Sequence, residues 1–158
     1  MANNKQQKPV SAFQTAVEGT PEIKDAYCVG LKGIESTDRS KVKAVDTQSV
    51  DGSLNIDATV KALYPADNRW DYAVSYSGKV YFFEVHPATD GEIETMRRKL
   101  SWLKTWLKVK APLLNALPKF EKPFCWIPSG KTGFLSTAAT RKKIALLGLD
   151  FQNQVQLK

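Results

Sequence analysis

The chain is poor in the residues that build closed metal centres and disulfide frameworks. Its 158 residues include only two cysteines, Cys28 and Cys125, and a single histidine, His86. The cysteines lie far apart and no C-x-x-C occurs, whereas a structural zinc site needs four such ligands. Both sit in apolar, strand-like surroundings and read as buried free thiols of a reducing compartment. One histidine leaves no room for a separate Ser-His-Asp set, and there is no G-x-S-x-G elbow. No apolar run approaches the roughly 18 residues that cross a bilayer. The opening MANNKQQKP has no apolar stretch, so no secretory signal is expected. The expectation is a soluble, cytoplasmic protein with no membrane partner. Repeats, low-complexity tracts and dividing linkers are also lacking. That points to one α/β domain over residues 9–158 behind a disordered polar tail at 1–8.

What the chain does have is 42% hydrophobic residues, enough for a core, and a basic balance of 23 Lys and Arg against 16 Asp and Glu. The resulting charge of +7 permits a polyanionic partner without requiring one. The patterning predicts a short helix at 10–18 with Ser11 as its cap, then strands at 26–34 and 41–45. Gly52-Ser53 reads as a break, and 56–64 as a helix stopped by Pro65. Residues 69–88 read as a β-hairpin. Thr89-x-x-Glu92 has the form of a capping box opening a long helix over 91–109, whose stripe is Ile93, Met96, Leu100, Leu103 and Leu107. A helical LLNAL, a loop PKFEK, a strand at 124–127, a turn at 128–133, a helix at 137–147 and a last strand at Val155–Leu157 follow. This order gives a mixed sheet flanked by helices.

The hairpin, RWDYAVSYSGKVYFFEVHPA, carries the chemistry. If it closes around Ser77-Gly78, paired positions sum to a constant and Asp71 falls opposite Glu84. Strand alternation puts His86 on their face. Two facing carboxylates repel and resist desolvation, so they need a cation, a shared proton or open water. A divalent metal, Mg²⁺ or Mn²⁺, is one answer. A Lys, an Arg or a protonated His86 is the other. Two carboxylates about 5 Å apart suit an ion that keeps most of its water. Val80 and Phe82 share the face of Glu84, which argues that this glutamate is buried for a reason.

Asp71, within Trp70-Asp71-Tyr72, and Glu84-Val85-His86, with a long helix after them, resemble the PD-(D/E)xK nuclease superfamily. In that family an Asp begins one hairpin strand and a Glu/Asp-x-Lys lies on the next. The likeness runs from about residue 10 to the end, with an extra helix at 56–64. It implies a restriction-endonuclease-like core and a metal-dependent nuclease. Asp71 and Glu84 are then the metal ligands, and His86 positions or deprotonates water. The chain departs from the pattern at Trp70, where Pro is common, and at His86, where the family has Lys. The likeness implies that Lys99 or Arg98 on the next helix supplies the missing cation, and that an early acid, Glu18 or Asp57, joins the site.

On the long helix, Arg97, Lys104 and Lys108 fall on one flank of the stripe, Lys99 and Trp106 on the other. Trp102 lies beyond them, and Arg98 is nearly opposite the stripe. Arg97, Arg98, Trp102 and Trp106 together suit nucleic acid, with bases stacking on indole and phosphates meeting cations. The same tryptophans suit a dimer interface, or a cover supplied by the N-terminal segment. Ser129-Gly130-Lys131-Thr132 ends like a phosphate-binding loop, but the pattern needs Gly where Cys125 stands and a helix directly after. Lys131 is left as one more contribution to a basic surface. Three functions remain open: a nuclease acting on DNA or RNA, a degenerate binding module on the same fold, and a structural homodimer.

Overall fold

A computed structural model describes residues 9–130 and 137–158. The expected tail at 1–8 and Lys131 lie outside the described residues. A five-stranded mixed sheet holds the centre, in the order β2 (Val50–Asn55), β3 (Tyr72–Tyr76), β4 (Lys79–His86), β5 (Lys119–Pro128) and β6 (Asp150–Phe151). The first three strands run antiparallel, and β5 and β6 join in parallel. A two-stranded parallel ribbon pairs β1 (Val42–Ala44) with β7 (Val155–Leu157). The helices are α1 (Ala12–Glu18), α2 (Ile56–Val60), α3 (Glu92–Val109), α4 (Pro112–Asn115) and α5 (Ala138–Leu146). No helix among the described residues is long and apolar enough to cross a membrane.

The hairpin register follows from its turn. Ser77 and Gly78 both take positive φ, 48° and 79°, as a two-residue hairpin turn demands. Tyr76 therefore faces Lys79 and the ladder runs back to Tyr72 opposite Phe83. Alternation then sends Ala73, Val80 and Phe82 into a core shared with Trp70 and Trp126 and with α1 and α3. Tyr72, Val74, Tyr81 and Phe83 go to the other face, against Ile34, Val42 and Leu157. Both faces are covered, which explains why VYFFEV reads as a continuous apolar run.

Helix α1 starts where expected, with the Ser11 hydroxyl accepting the Gln14 N–H at 3.1 Å. The stripe of α3 buries Met96, Leu100, Leu103 and Leu107, with Trp106 added to it. Several expectations fail. Residues 26–34 form turns, with one antiparallel bridge from Cys28 to Ser53, because β2 pairs with β3 along its length instead. The 41–45 strand exists as β1, but its partner is β7. Gly52-Ser53 is no break. It lies inside β2, where Gly52 has φ 150° and a Cβ would sit 2.3 Å from the Tyr27 ring. The helix expected at 56–64 ends at Val60. Thr89 does not cap α3: Gly91 is the cap residue and makes no side-chain bond. PKFEK is mostly strand, in the first half of β5, and β6 was not foreseen.

Candidate active site

The backbone ladder of the hairpin ends at Tyr72 and Phe83, and one step further side chains take over. The Asp71 N–H donates to Glu84 Oε2 at 2.8 Å, and the Val85 N–H donates to Asp71 Oδ2 at 3.0 Å. Each acid thus accepts an amide from the opposite strand, which brings the two carboxylates together. The Asp71 carbonyl in turn accepts the Ile56 N–H at the start of α2, at 2.8 Å. The acid is therefore gripped on its backbone as well as its side chain.

Glu84 is 1% exposed, inside the apolar layer formed by Val80 and Phe82. A buried carboxylate requires a cation or a proton. The cation comes from α3: Lys99 Nζ lies 2.6 Å from Glu84 Oε1 and also donates to the Arg69 carbonyl at 2.9 Å. Arg98 does not share this position. It is exposed and pairs at 3.4 Å with Glu94, which also holds Arg97. One lysine does not neutralise two acids. Burial, lightened by Lys99 and the Val85 N–H, pushes the Asp71 carboxyl up to about 6, and the charges of Asp57 and Asp38 add to the rise. Burial, together with the Asp71 charge, also raises Glu84 well above the usual carboxylate range.

His86 sits half-buried between two acids. Its Nε2 is 2.6 Å from Glu92 Oε2, and its Nδ1 is 3.7 Å from Glu84 Oε1, beyond hydrogen-bonding reach. With Nε2 engaged by Glu92, the ring is not free at both nitrogens to serve water. Glu92 was missed as a site residue because it reads as part of a helix cap. Its spacing of six residues from His86, across the strand-to-helix junction, is the one sequence signal that links them.

The other expected residues lie elsewhere. Glu18 is exposed at the end of α1 and accepts from Gln14 Nε2 at 2.9 Å. The Asp57 carboxylate is paired with Arg69 at 2.8 Å and reaches Asp71 only through its charge, while the Asp57 backbone N–H donates to the Asp71 carbonyl at 3.4 Å. Trp106 is 3% exposed and donates its indole N–H to Glu22 Oε2 at 2.8 Å, so it belongs to the core. Helix periodicity leaves Trp106 off the stripe, and the cover expected from the N-terminal segment is there: the turn at Pro21–Ile23 supplies it, with Tyr64 beside it. Trp102 is half-buried, stacked on Trp106.

Among the described residues, no group of three or more His, Cys, Asp and Glu side chains is arranged to hold a metal. The donor chemistry of Asp71 and Glu84 nevertheless fits a magnesium-like ion, which takes few protein carboxylates and keeps several waters. Comparisons with protein-family models, with curated proteins and with solved structures each returned no match.

Proposed function

We propose that the chain is a metal-dependent phosphodiesterase acting on nucleic acid, with a restriction-endonuclease-like core of the PD-(D/E)xK type. The observation that carries this reading is a buried pair of acids, Asp71 and Glu84, joined by one lysine from the following helix. In it, a single ammonium faces two carboxyl groups, each held above its usual range chiefly by burial. Carboxyls whose ionisation burial suppresses are candidates for a site, because a bound divalent ion would restore their charge.

Asp71 and Glu84 would hold Mg²⁺ or Mn²⁺, which on binding supplies charge for the phosphoryl oxygens and acidifies a water. Lys99 is fixed at both Glu84 and the Arg69 carbonyl, so its ammonium is aimed rather than mobile. Such a charge stabilises negative charge growing on phosphate oxygens. Glu92 holds the His86 ring in place, which assigns His86 to orientation at the rim. Lys99 takes the part that the family gives to the strand lysine.

A second reading is favoured by the bonds already made: both oxygens of Glu84 and one of Asp71 have partners within the chain. On that reading the protein binds nucleic acid without cutting it. Incubation of the protein with single- and double-stranded DNA and RNA, with Mg²⁺ or Mn²⁺, separates the two. Cleavage that disappears in Asp71→Asn and Lys99→Met supports the enzyme. Salt-sensitive binding without cleavage under either metal supports the binder.

A further inference from the structure

Beside the acid pair, α3 and the loop at 64–69 enclose a pocket of about 210 Å³ lined by Tyr64, Asp67, Trp102, Trp106, Val109 and Lys110. Its walls are aromatic. Trp102 stacks on Trp106 with centroids 5.7 Å apart at 9°, and Tyr64 stands at 79° to Trp102, 5.7 Å away. The polar edges of the rings are tied off behind. The Tyr64 hydroxyl and the Trp106 N–H both donate to Glu22, at 2.7 and 2.8 Å, and the Trp102 N–H donates to Asp67 Oδ2 at 3.1 Å. What remains for a ligand is the apolar surface that half-buried Trp102 gives to the pocket beside Tyr64, with the exposed Asp67 carboxylate at its edge.

The pocket and the acid pair are built on the same helix and the same loop. Lys99 and Trp102 are one turn apart on α3, about 4.5 Å of rise. The same short loop supplies Asp67 to Trp102 and the Arg69 carbonyl to Lys99. Arg69 also donates to the Tyr64 carbonyl at 2.6 Å and the Asp67 carbonyl at 3.4 Å, which ties the loop into one piece.

We infer that this pocket receives one unpaired nucleobase, stacked on Trp102 with its N–H edge toward Asp67, and thereby sets which phosphodiester lies over Asp71 and Glu84. The inference rests on the nucleic-acid reading above and narrows it to single-stranded substrate. A base inside a duplex has both faces covered, so only an unpaired base can use the indole face. The carboxylate accepts but does not donate, so it favours bases with N–H donors on their pairing edge, guanine above all, which offers two neighbouring donor groups. Lys110 at the rim suits the adjoining phosphate.

The test uses the full chain in EDTA, so that binding is read apart from cleavage. Fluorescein-labelled single-stranded oligonucleotides, guanine-rich and thymine-only, and a duplex of equal length are titrated by anisotropy. The single strands are expected to bind more tightly than the duplex, with guanine preferred. Trp102→Ala should weaken single-strand binding on the order of tenfold, and Trp102→Phe should restore most of it. Asp67→Asn, at an exposed position, should erase the guanine preference. Val109→Glu, at a position 63% exposed, should block the pocket without touching the core. Unchanged affinity in both Trp102→Ala and Val109→Glu overturns the inference. So does displacement of no oligonucleotide while tetramethylammonium quenches the indoles, which marks the pocket as a cation cage for another protein. Cleavage that persists with unaltered strand preference in these variants leaves the phosphodiesterase standing and removes only the base pocket. Trp102-dependent binding without cleavage under any metal does the reverse.

Discussion

Removing one charge from the acid pair should stabilise the protein, and Asp71→Asn is the cleanest way to do it. The amide keeps an oxygen to accept the Val85 N–H, so the geometry is preserved while the charge goes. Asp71 rises from an ordinary 3.8 to about 6, mainly through burial. A native carboxyl titrating above its unfolded value binds its proton more tightly when folded. Its contribution is therefore fully present below the unfolded value, near pH 4, and is lost as pH rises through about 6. At about 1.36 kcal/mol per unit, the loss approaches 3 kcal/mol at pH 7.5. Asp71→Asn should recover about 1–3 kcal/mol of it, roughly 2–12 °C in Tm for a domain of this size. Between pH 4 and 5 the two proteins should converge. Thermal melts at pH 4.5, 6 and 7.5 check this, each with EDTA and with Mn²⁺. Wild type should gain about 2.7 kcal/mol when the ion is at a hundred times its Kd, and the variant little. An Asp71→Asn protein no more stable than wild type at pH 7.5 means that the fold already balances the pair. The physical reason for a cation site then disappears.

Lys99→Met keeps the aliphatic stem but strands two buried carboxylates. A loss of about 3–5 kcal/mol is expected at pH 7.5, shrinking as pH falls toward 5 because protons replace the ammonium. Urea titrations at both pH values decide, and a loss independent of pH refutes the charge argument. Trp106→Phe removes an N–H from buried surroundings and leaves Glu22 with only the Tyr64 hydroxyl. It should cost about 1–3 kcal/mol in urea unfolding; a neutral change would return Trp106 to the surface.

The adjacency of Asp71 and Glu84 was legible because it depends on one local rule. A two-residue turn at Ser77-Gly78 fixes the pairing, and the alternation of the strands does the rest. The failures share a different cause. Strand β2 contains Val50-Asp51-Gly52-Ser53, a composition that reads as a turn, and it is held extended by pairing with β3 on one side and the Cys28 bridge on the other. Strand β1 finds its partner more than a hundred residues away. Trp106 leaves the α3 stripe on a helical wheel, and its burial comes from the expected N-terminal cover, where Glu22, 84 residues earlier, accepts its N–H. Glu92 has the composition of a helix start, and its engagement with His86 depends on how the strand hands over to the helix. Each of these rests on contacts between segments, which period and propensity do not encode.

The same distinction bears on the departure at position 86. Two residues along a strand carry a side chain about 7 Å from Glu84. A short imidazole spans that gap poorly, and its nearer nitrogen stops at 3.7 Å, while Glu92 draws the ring the other way. A lysine stem from α3 closes to 2.6 Å. What an ionised buried acid pair requires is a positive charge within contact distance, and imidazole carries charge only when protonated. The requirement therefore falls on a place in space rather than on a place in a motif. A helix packed across the sheet face is as able to meet it as the strand itself. A histidine at 86 is compatible with an acid pair at 71 and 84 because α3 delivers Lys99 into contact with the same Glu84 oxygen that the imidazole approaches only to 3.7 Å.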